Sequence, residues 1–413
     1  MLALIALRNI FRNKRRTLLS LVIVSVGTVG LILTAGFVRD SFDGLRDAVI
    51  QGGLGHLEVA PASDTAGAAS PADRSGSPPA LRGWRTLRTT IEGRPHVRAA
   101  GAVIQFTGVA TNGEHSAAFV GLAVEPDRER RMGMETKLKG GTGLPEKETA
   151  AGDERVLLGV GLARALAVVP GDIIAVMAAT PDGSLNAVDM TVDGLFTTGF
   201  QELDSRILKT QVVTGQRLLG TELVNSLIVG LADTSATRQE EVELQRAFAG
   251  NVQPLSVLDW ETRAPFYSQV RALYSGIFAF LGTIVTVLVV LSISNTMLMS
   301  VLERVREFGV LLAIGTTRAQ LARLLIFEAL WLALFGVIAG SALGLALVNV
   351  INVLKIDMPP PPGAVDPIQL TLAAVPTDVM AICAFMTVIL AGAAVAPILR
   401  VSRLRIVDAL GHV

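Results

Sequence analysis

The sequence predicts a membrane protein with four transmembrane α-helices and a large mixed α/β extracytoplasmic domain inserted between helices 1 and 2. Three observations carry this. Residues 17–38, 277–300, 329–348 and 379–399 hold no charged side chain, and about 20 residues at about 1.5 Å rise cross a hydrocarbon core of roughly 30 Å. Some 240 residues of ordinary mixed composition separate the first two runs. The 413-residue chain is 51% hydrophobic and 17% charged, too apolar for an ordinary soluble domain of that size.

Residues 1–16 place Arg8, Arg12, Lys14, Arg15 and Arg16 among Leu2, Leu4, Ile5, Leu7, Ile10 and Phe11. Such a basic amphipathic helix suits an anionic, cytoplasmic membrane surface. The first span, 17–38, exceeds the apolar core of about 7–15 residues in a cleaved signal, so an uncleaved anchor is expected. The further spans are 277–300, 321–352 and 377–399, with a cytoplasmic segment at 301–320, an outer loop at 353–376 and a tail at 400–413. Basic residues gather at the N-terminal flank, at Arg304, Arg306, Arg318 and Arg323, and at Arg400, Arg403 and Arg405. The opposite flanks carry Asp40, Asp43, Asp357, Asp366 and Asp378. The positive-inside rule then predicts cytoplasmic termini and an exported insert.

The insert, 39–276, reads as mixed α/β. Strand-like pieces are 57–60, 102–109, 117–124, 156–158, 173–178 and 188–196, and helical pieces are 161–166, 214–219 and 238–248. Residues 61–80, rich in Ala, Ser, Gly and Pro, read as a mobile loop. Residues 255–274 are expected to form a helical stalk returning to the membrane, broken or kinked at Pro265. In the third span Gly336, Gly340 and Gly344 recur every four residues, a face on which another helix can approach closely. The four prolines within 358–363 imply a stiff, extended outer loop.

Between the second and third spans, Val301, Val305, Phe308 and Leu312 fall on one helical face while Glu303, Arg306 and Glu307 point elsewhere. Gly315 suits a helix C-cap, and Thr317 with Gln320 has the form of a capping box for the next helix. A solvated loop between spans would also explain the charges. Arg306-Glu307-Phe308-Gly309, Leu311, Ala313-Ile314-Gly315, Arg318 and Glu328 nevertheless resemble the signature of the FtsX/MacB-type permease domain of ABC transporters. The ending Val407-Asp408-Ala409-Leu410 is similar to that family's tail. Leu158-Gly159-Val160-Gly161-Leu162-Ala163 with Pro170-Gly171-Asp172 is similar to a segment of its periplasmic domain. Residues 192–205, ending in Glu202-Leu203-Asp204-Ser205, look like the version in lipoprotein-releasing permeases of the LolC/LolE type.

The resemblance implies LolD/MacB-type ATPase subunits, a second permease subunit as a copy or a related chain, and ATP-driven closure that moves spans and stalks as levers. By carry-over Glu303, Arg304, Arg306, Glu307, Phe308 and Gly309 would couple to the ATPase, with Gly315 and Arg318 shaping the end of that contact. ATP and magnesium would sit on the partner, since this chain has no G-x-x-x-x-G-K-[ST] loop and no Gly-Lys dipeptide. The chain itself is expected to bind no cofactor and to catalyse no reaction. The localisation implied is the bacterial inner membrane, with the insert in the periplasm.

Other chemistry is not suggested. The spans hold no central Asp, Glu, Lys or Arg for an ion relay, and a net charge of zero gives no reason to expect nucleic acid. The lone Cys383 lies in a span, and His56, His96, His115 and His412 lack ligand spacing, so no metal site is predicted. Extraction of lipoprotein or another lipid-linked substrate from the outer leaflet fits the motifs best. MacB-like efflux of drugs, peptides or siderophores through a periplasmic adaptor is the alternative. An FtsX-like regulator of a cell-wall hydrolase is a third, and such regulators have a smaller domain. The lipoprotein-releasing permeases that dock a periplasmic carrier extend a hook hairpin after the strand corresponding to 173–178. Here Thr180-Pro181-Asp182-Gly183-Ser184 reads as a compact turn, which leaves carrier docking by this chain in doubt.

Overall fold

A computed structural model of the chain describes residues 2–12, 14–62, 80–134, 136–359 and 368–402. Nearly all of the stretch 61–80, most of the proline-rich loop and the ending Val407 to Leu410 lie outside the described residues. The helices are α1 (Leu2–Arg12), α2 (Lys14–Val49), α3 (Trp84–Glu92), α4 (Pro126–Met132), α5 (Val160–Leu166), α6 (Gln201–Asp204) and α7 (Val212–Leu219). They continue with α8 (Thr237–Phe248), α9 (Trp260–Arg263), α10 (Pro265–Glu303), α11 (Val305–Ala313), α12 (Arg318–Leu354), α13 (Pro376–Ala393) and α14 (Val395–Ser402). The main strands are β1 (Leu57–Pro61), β2 (Val97–Thr111), β3 (Ser116–Val124), β4 (Lys137–Gly141) and β5 (Arg155–Gly159). After them come β6 (Ile173–Ala179), β7 (Leu185–Thr197), β8 (Ile207–Gln211), β9 (Ser226–Leu231) and β10 (Leu255–Asp259).

Two compact units emerge. One comprises Met1–Asp43, Arg271–Asp357 and Gln369–Val413, and the other Gly44–Val270 and Met358–Ile368. In the first, α2, α10, α12 and α13 with α14 are long and apolar enough to cross a membrane. Their common core is built from Val24, Val289, Ile293, Met297, Ala333, Val337 and Met386. Gly336, Gly340 and Gly344 all face α2. A Cβ at Gly336 would stand 2.6 Å from Val24, one at Gly340 2.8 Å from the Ser25 carbonyl oxygen, and one at Gly344 3.3 Å from Ile32. The close approach lets the Ser25 hydroxyl donate to the Gly336 carbonyl at 3.0 Å, an interhelical bond inside the apolar layer. At one end of the bundle Arg39 donates to Asp378 at 3.3 Å and Thr371 to Asp40.

In the second unit β2 is long enough to serve two structures. Its first half pairs β9, which leads to β1 and the edge strand β10. Its second half pairs β3 on one side and, through Gly108–Thr111, β6 on the other. From β3 the pairing runs through β8, β5, β7 and β6 back to β2, closing a six-stranded ring. Inward side chains alternate along these strands: Ile104, Phe106, Val156, Leu158, Ile174, Val176, Met190 and Val192. Ring closure leaves these six strands few free backbone edges. Helices α5 and α7 contribute Leu162, Leu166, Leu218 and Leu219 to the same core.

The expected stalk over 255–274 is corrected in its first part. Leu255–Asp259 is strand β10, an edge strand paired antiparallel to β1, with Val257 buried and its neighbours half-buried. The break expected at Pro265 is present: α9 ends at Arg263, Ala264 leaves helical geometry at φ −119°, ψ 66°, and Pro265 begins α10, where its missing N–H costs nothing.

Where α2 gives way to β1, five residues wind more widely, Gly53 takes φ +120° and Gly55 φ +64°. Nearby Arg263 pairs with Glu58 at 2.7 Å and donates to the Leu54 carbonyl at 2.6 Å, both side chains almost wholly buried. His56 beside them accepts the Leu231 N–H on Nδ1 at 3.1 Å. Its proton therefore sits on Nε2, 3.1 Å from the Thr234 hydroxyl. Burial lowers the His56 pKa below the ordinary 6.5. Asp47 and Asp233 oppose the shift, and Arg98 and Arg46 add to it. The folded state thus favours neutral imidazole, so its contribution to stability is complete above pH 6.5 and is lost as pH falls from there through the lowered value.

Two outcomes are expected. Thermal unfolding of the detergent-solubilised chain loses stability as pH falls below about 6.5, and His56→Gln flattens that dependence. Gly340→Leu, forced against the α2 backbone, lowers the folded yield in membranes sharply, whereas Gly30→Leu, with open space at its Cβ, leaves it near wild type.

Candidate functional site

The short segment between α10 and α12 turns the chain twice. Arg304 leaves helical geometry at φ −115°, ψ 17°, ending α10 and starting α11. At the far end the Gly315 N–H donates to the Leu312 carbonyl at 3.2 Å and the Thr316 N–H to that of Leu311 at 3.0 Å. These two bonds make a Schellman cap, which needs the left-handed φ of +99° that Gly315 supplies. The Thr317 hydroxyl then accepts the Gln320 N–H, and the Gln320 side chain accepts the Thr317 N–H at 2.9 Å, a capping box that starts α12.

The inner face of α11 pins this double turn. Phe308 is 1% exposed and packs with Val301, Leu321, Leu325, Leu311 and Ile398, so α10, α11, α14 and the start of α12 share one small core. The sequence pattern pointed to Leu312; Leu311 is the residue that joins the cluster. Gly309 is also buried. Phe308 and Gly309 therefore position the helix, and a docking partner would meet other residues.

Glu307 is the electrostatic centre. Its Oε1 accepts from Arg12 Nη2 of α1 at 2.5 Å and its Oε2 from Arg304 Nε at 2.7 Å. Arg304 also lies over the Phe308 ring, 5.4 Å from its centre. The Arg12 bond, then that of Arg304, holds the Glu307 carboxyl below its ordinary value of 4.5. The α1–α11 link thus persists at neutral pH and weakens as pH falls through the lowered value. Sequence reading used Arg12 for membrane affinity and orientation and missed this partner, because 295 residues separate the two. Outward stand Glu303, Arg306, Val310, Ala313, Ile314, Gly315 and Arg318. Ile314 is 73% and Val310 47% exposed, so the free surface has a charged end and an apolar end.

In the other unit, the two segments that carried the family resemblance meet each other. A Cβ on Gly159 would fall 2.4 Å from the Asp204 carbonyl oxygen, and one on Gly161 2.7 Å from Ser205 Cα. Asp204 is 1% exposed and accepts from the Thr197 hydroxyl at 2.5 Å and from the Thr198 N–H and hydroxyl, each at 2.7 Å. These residues form a structural joint, with Glu202, Leu203 and Phe200 left exposed around it. The β6–β7 hairpin closes tightly: the Thr180 N–H donates to the Ser184 carbonyl at 2.8 Å, and the Asp182 carboxylate accepts from the Thr180 hydroxyl. No side-chain cluster among the described residues has the ligands to hold a metal ion.

The chain joins four helices long and apolar enough to cross a membrane, with a capped helix between two of them, to a large inserted α/β domain. Residues 279–406 match the FtsX-like permease C-terminal family. The chain is 24% identical over 358 residues to the lipoprotein-releasing system transmembrane protein LolC of Neisseria meningitidis, covering 84% of this chain and 81% of that one. It is 26% identical over 133 residues to the macrolide export ATP-binding/permease protein MacB of Bordetella avium, covering 32% of this chain and 20% of that one. The solved periplasmic region of MacB from Actinobacillus actinomycetemcomitans overlaps 53% of this chain and 95% of its own length, at TM-score 0.37 and 15% identity. Residues 279–406 thus carry an FtsX-like permease domain, and the chain as a whole is similar to ABC transporter permeases of the LolC and MacB type.

Phe308→Ala is expected to destabilise the α10–α11–α12 junction by roughly 3–5 kcal/mol, and Gly315→Ala by about 1 kcal/mol through the left-handed φ. Hydrogen exchange of residues 301–325 in detergent checks both, the larger effect giving the larger loss of protection.

Proposed function

We propose that this chain is the permease subunit of a system that releases lipoprotein, or another lipid-linked substrate, from the outer leaflet of the inner membrane toward the outer membrane. The alignment with LolC over 84% of the chain carries this reading, because it spans the inserted domain as well as the membrane bundle. In it, ATP with magnesium is bound and hydrolysed by a LolD/MacB-type ATPase on the cytoplasmic side, and the basic flanks support a cytoplasmic position for both termini. The outward residues of α11 meet that ATPase. Glu303, Arg306 and Arg318 offer charges, Val310 and Ile314 apolar contact. Glu307 holds α11 to α1 through Arg12, and Phe308, Gly309 and Gly315 fix its position, so a push on α11 reaches α10 and α12 through one packed core.

The compact β6–β7 turn supports a second reading. Without an extended hairpin there, carrier docking falls to a partner subunit, or the system exports its substrate through an adaptor in the manner of MacB.

Depletion of the protein should leave lipoproteins in the inner membrane, and unchanged lipoprotein sorting would sink the leading reading. Copurification from native membranes should recover one ATPase with lipidated material, whereas an adaptor with an outer-membrane channel would establish efflux. Arg306→Glu combined with Arg318→Glu should lower ATPase recovery severalfold while leaving the amount of permease in the membrane unchanged.

A further inference from the structure

The two faces of α2 have different company. Ser20, Val24 and Thr28 recur every four residues and are buried, and Val24 and Thr28 stand against Gly336 and Gly340 of α12. On the outward side Arg15, Leu19, Val22 and Val26 follow one another at steps of four, three and four. Leu19, Val22 and Val26 are 49–64% exposed. On α1 the exposed Arg8 and Arg12 are also four residues apart, while Ala6 is fully buried.

Depth divides these outward residues into two groups. Arg15 precedes the uncharged run 17–38, so Arg8, Arg12 and Arg15 belong to the membrane boundary. Leu19, Val22 and Val26 come four, seven and eleven residues after Arg15, about 6–16 Å into the layer at 1.5 Å per residue. The hydrocarbon of one leaflet is about 15 Å deep, half of roughly 30 Å. The row therefore has the length and polarity of a single phospholipid, a cationic head above an apolar track as long as one acyl chain.

The charge at the head is only partly met within the protein. Arg12 gives Nη2 to Glu307, and its planar fork carries further N–H donors that can serve a second acceptor. Arg8 and Arg15 make no ion pair among the described residues. A phosphate accepts paired N–H bonds from a guanidinium, and every phospholipid has one. A zwitterionic headgroup also carries a cation, which three arginines repel. A headgroup of net negative charge carries none, and the charge of the row selects it.

We propose that Arg8, Arg12 and Arg15, with the track of Leu19, Val22 and Val26, bind one anionic phospholipid of the phosphatidylglycerol type in the leaflet at this end of the bundle. Because Arg12 also holds Glu307, the bound phosphate and α11 are joined through one side chain, and the lipid steadies α11 as well as α1. The site does not depend on which substrate is moved, and its test reads lipid binding without transport.

The test uses the purified full-length chain, exchanged into detergent with equal amounts of phosphatidylglycerol and phosphatidylcholine of the same acyl chains, and counts retained lipid by native mass spectrometry. Wild type should retain phosphatidylglycerol in preference, one molecule per chain. Arg8→Gln combined with Arg15→Gln leaves the Arg12–Glu307 pair in place and should lower that retention roughly fivefold to thirtyfold. Arg323→Gln combined with Arg400→Gln removes two exposed charges from the same end of the bundle and should leave it unchanged. Millimolar inorganic phosphate should not displace the lipid. In nanodiscs, hydrogen exchange over Val305–Ala313 should slow when phosphatidylglycerol replaces phosphatidylcholine, in wild type and not in the Arg8, Arg15 variant. Equal retention of the two lipids, or equal loss in both double variants, would overturn the site. Displacement by inorganic phosphate would reduce it to a phosphate contact without an acyl track, and lipid-independent exchange would overturn the link to α11.

Discussion

A bilayer interior cannot satisfy a backbone N–H or C=O, so every residue inside it must sit in a helix that bonds to itself. That constraint orders the whole chain. It fixes the lengths of α2, α10, α12 and α13 and strips them of charge. It also confines to their ends the groups by which the protein can respond to anything else: Arg12, Arg304 and Glu307 at one end, and Arg39, Asp40 and Asp378 at the other. Within the layer the remaining polar contacts are short ones between neighbours, such as Ser25 to Gly336, made possible by glycines that bring backbones together.

At the α10–α12 junction the same constraint is relaxed, and capping takes its place. Two helix ends within about fifteen residues leave orphan donors and acceptors that the Schellman bonds at Gly315 and the Thr317–Gln320 box satisfy locally. Local satisfaction lets α11 be short without fraying. Phe308 then joins it to the neighbouring helices through apolar contact, and Glu307 joins it to α1 through charge. Removing Phe308 opens a cavity at the junction, while neutralising Glu307 releases α1 and leaves the core intact.

The inserted domain solves a different problem. Exposed strand edges invite pairing with other chains, and the six-stranded ring removes most of them. The long β2 belongs to both the ring and the β9–β1–β10 sheet, so the two share one core. Segments that mark the family, Gly159 to Gly161 and Glu202 to Ser205, serve this packing, since only glycine lets α6 lie against the end of β5. A motif can therefore identify a relative while its residues do structural work away from any substrate.

The four spans, the insert between the first two, the capped break after the second and the glycine face of the third were legible in sequence. Each rests on a local signal: a run without charge, a spacing of four, a glycine after an apolar turn. The strands β4, β8, β9 and β10 were not, because they are short and their burial comes from neighbours far along the chain. Leu255–Asp259 read as helix for that reason, with nothing local to show that β1 was its partner. The junction chemistry divides the same way. The caps of α11 and α12 could be read from residues close together in the chain, but the pairing of Arg12 with Glu307, of Glu58 with Arg263 and of His56 with the Leu231 amide could not. Helix periodicity and capping are set by bonds within a few residues and so are written in the sequence; long-range ion pairs and sheet order are chosen only when the folded chain brings distant residues within about 3 Å of each other.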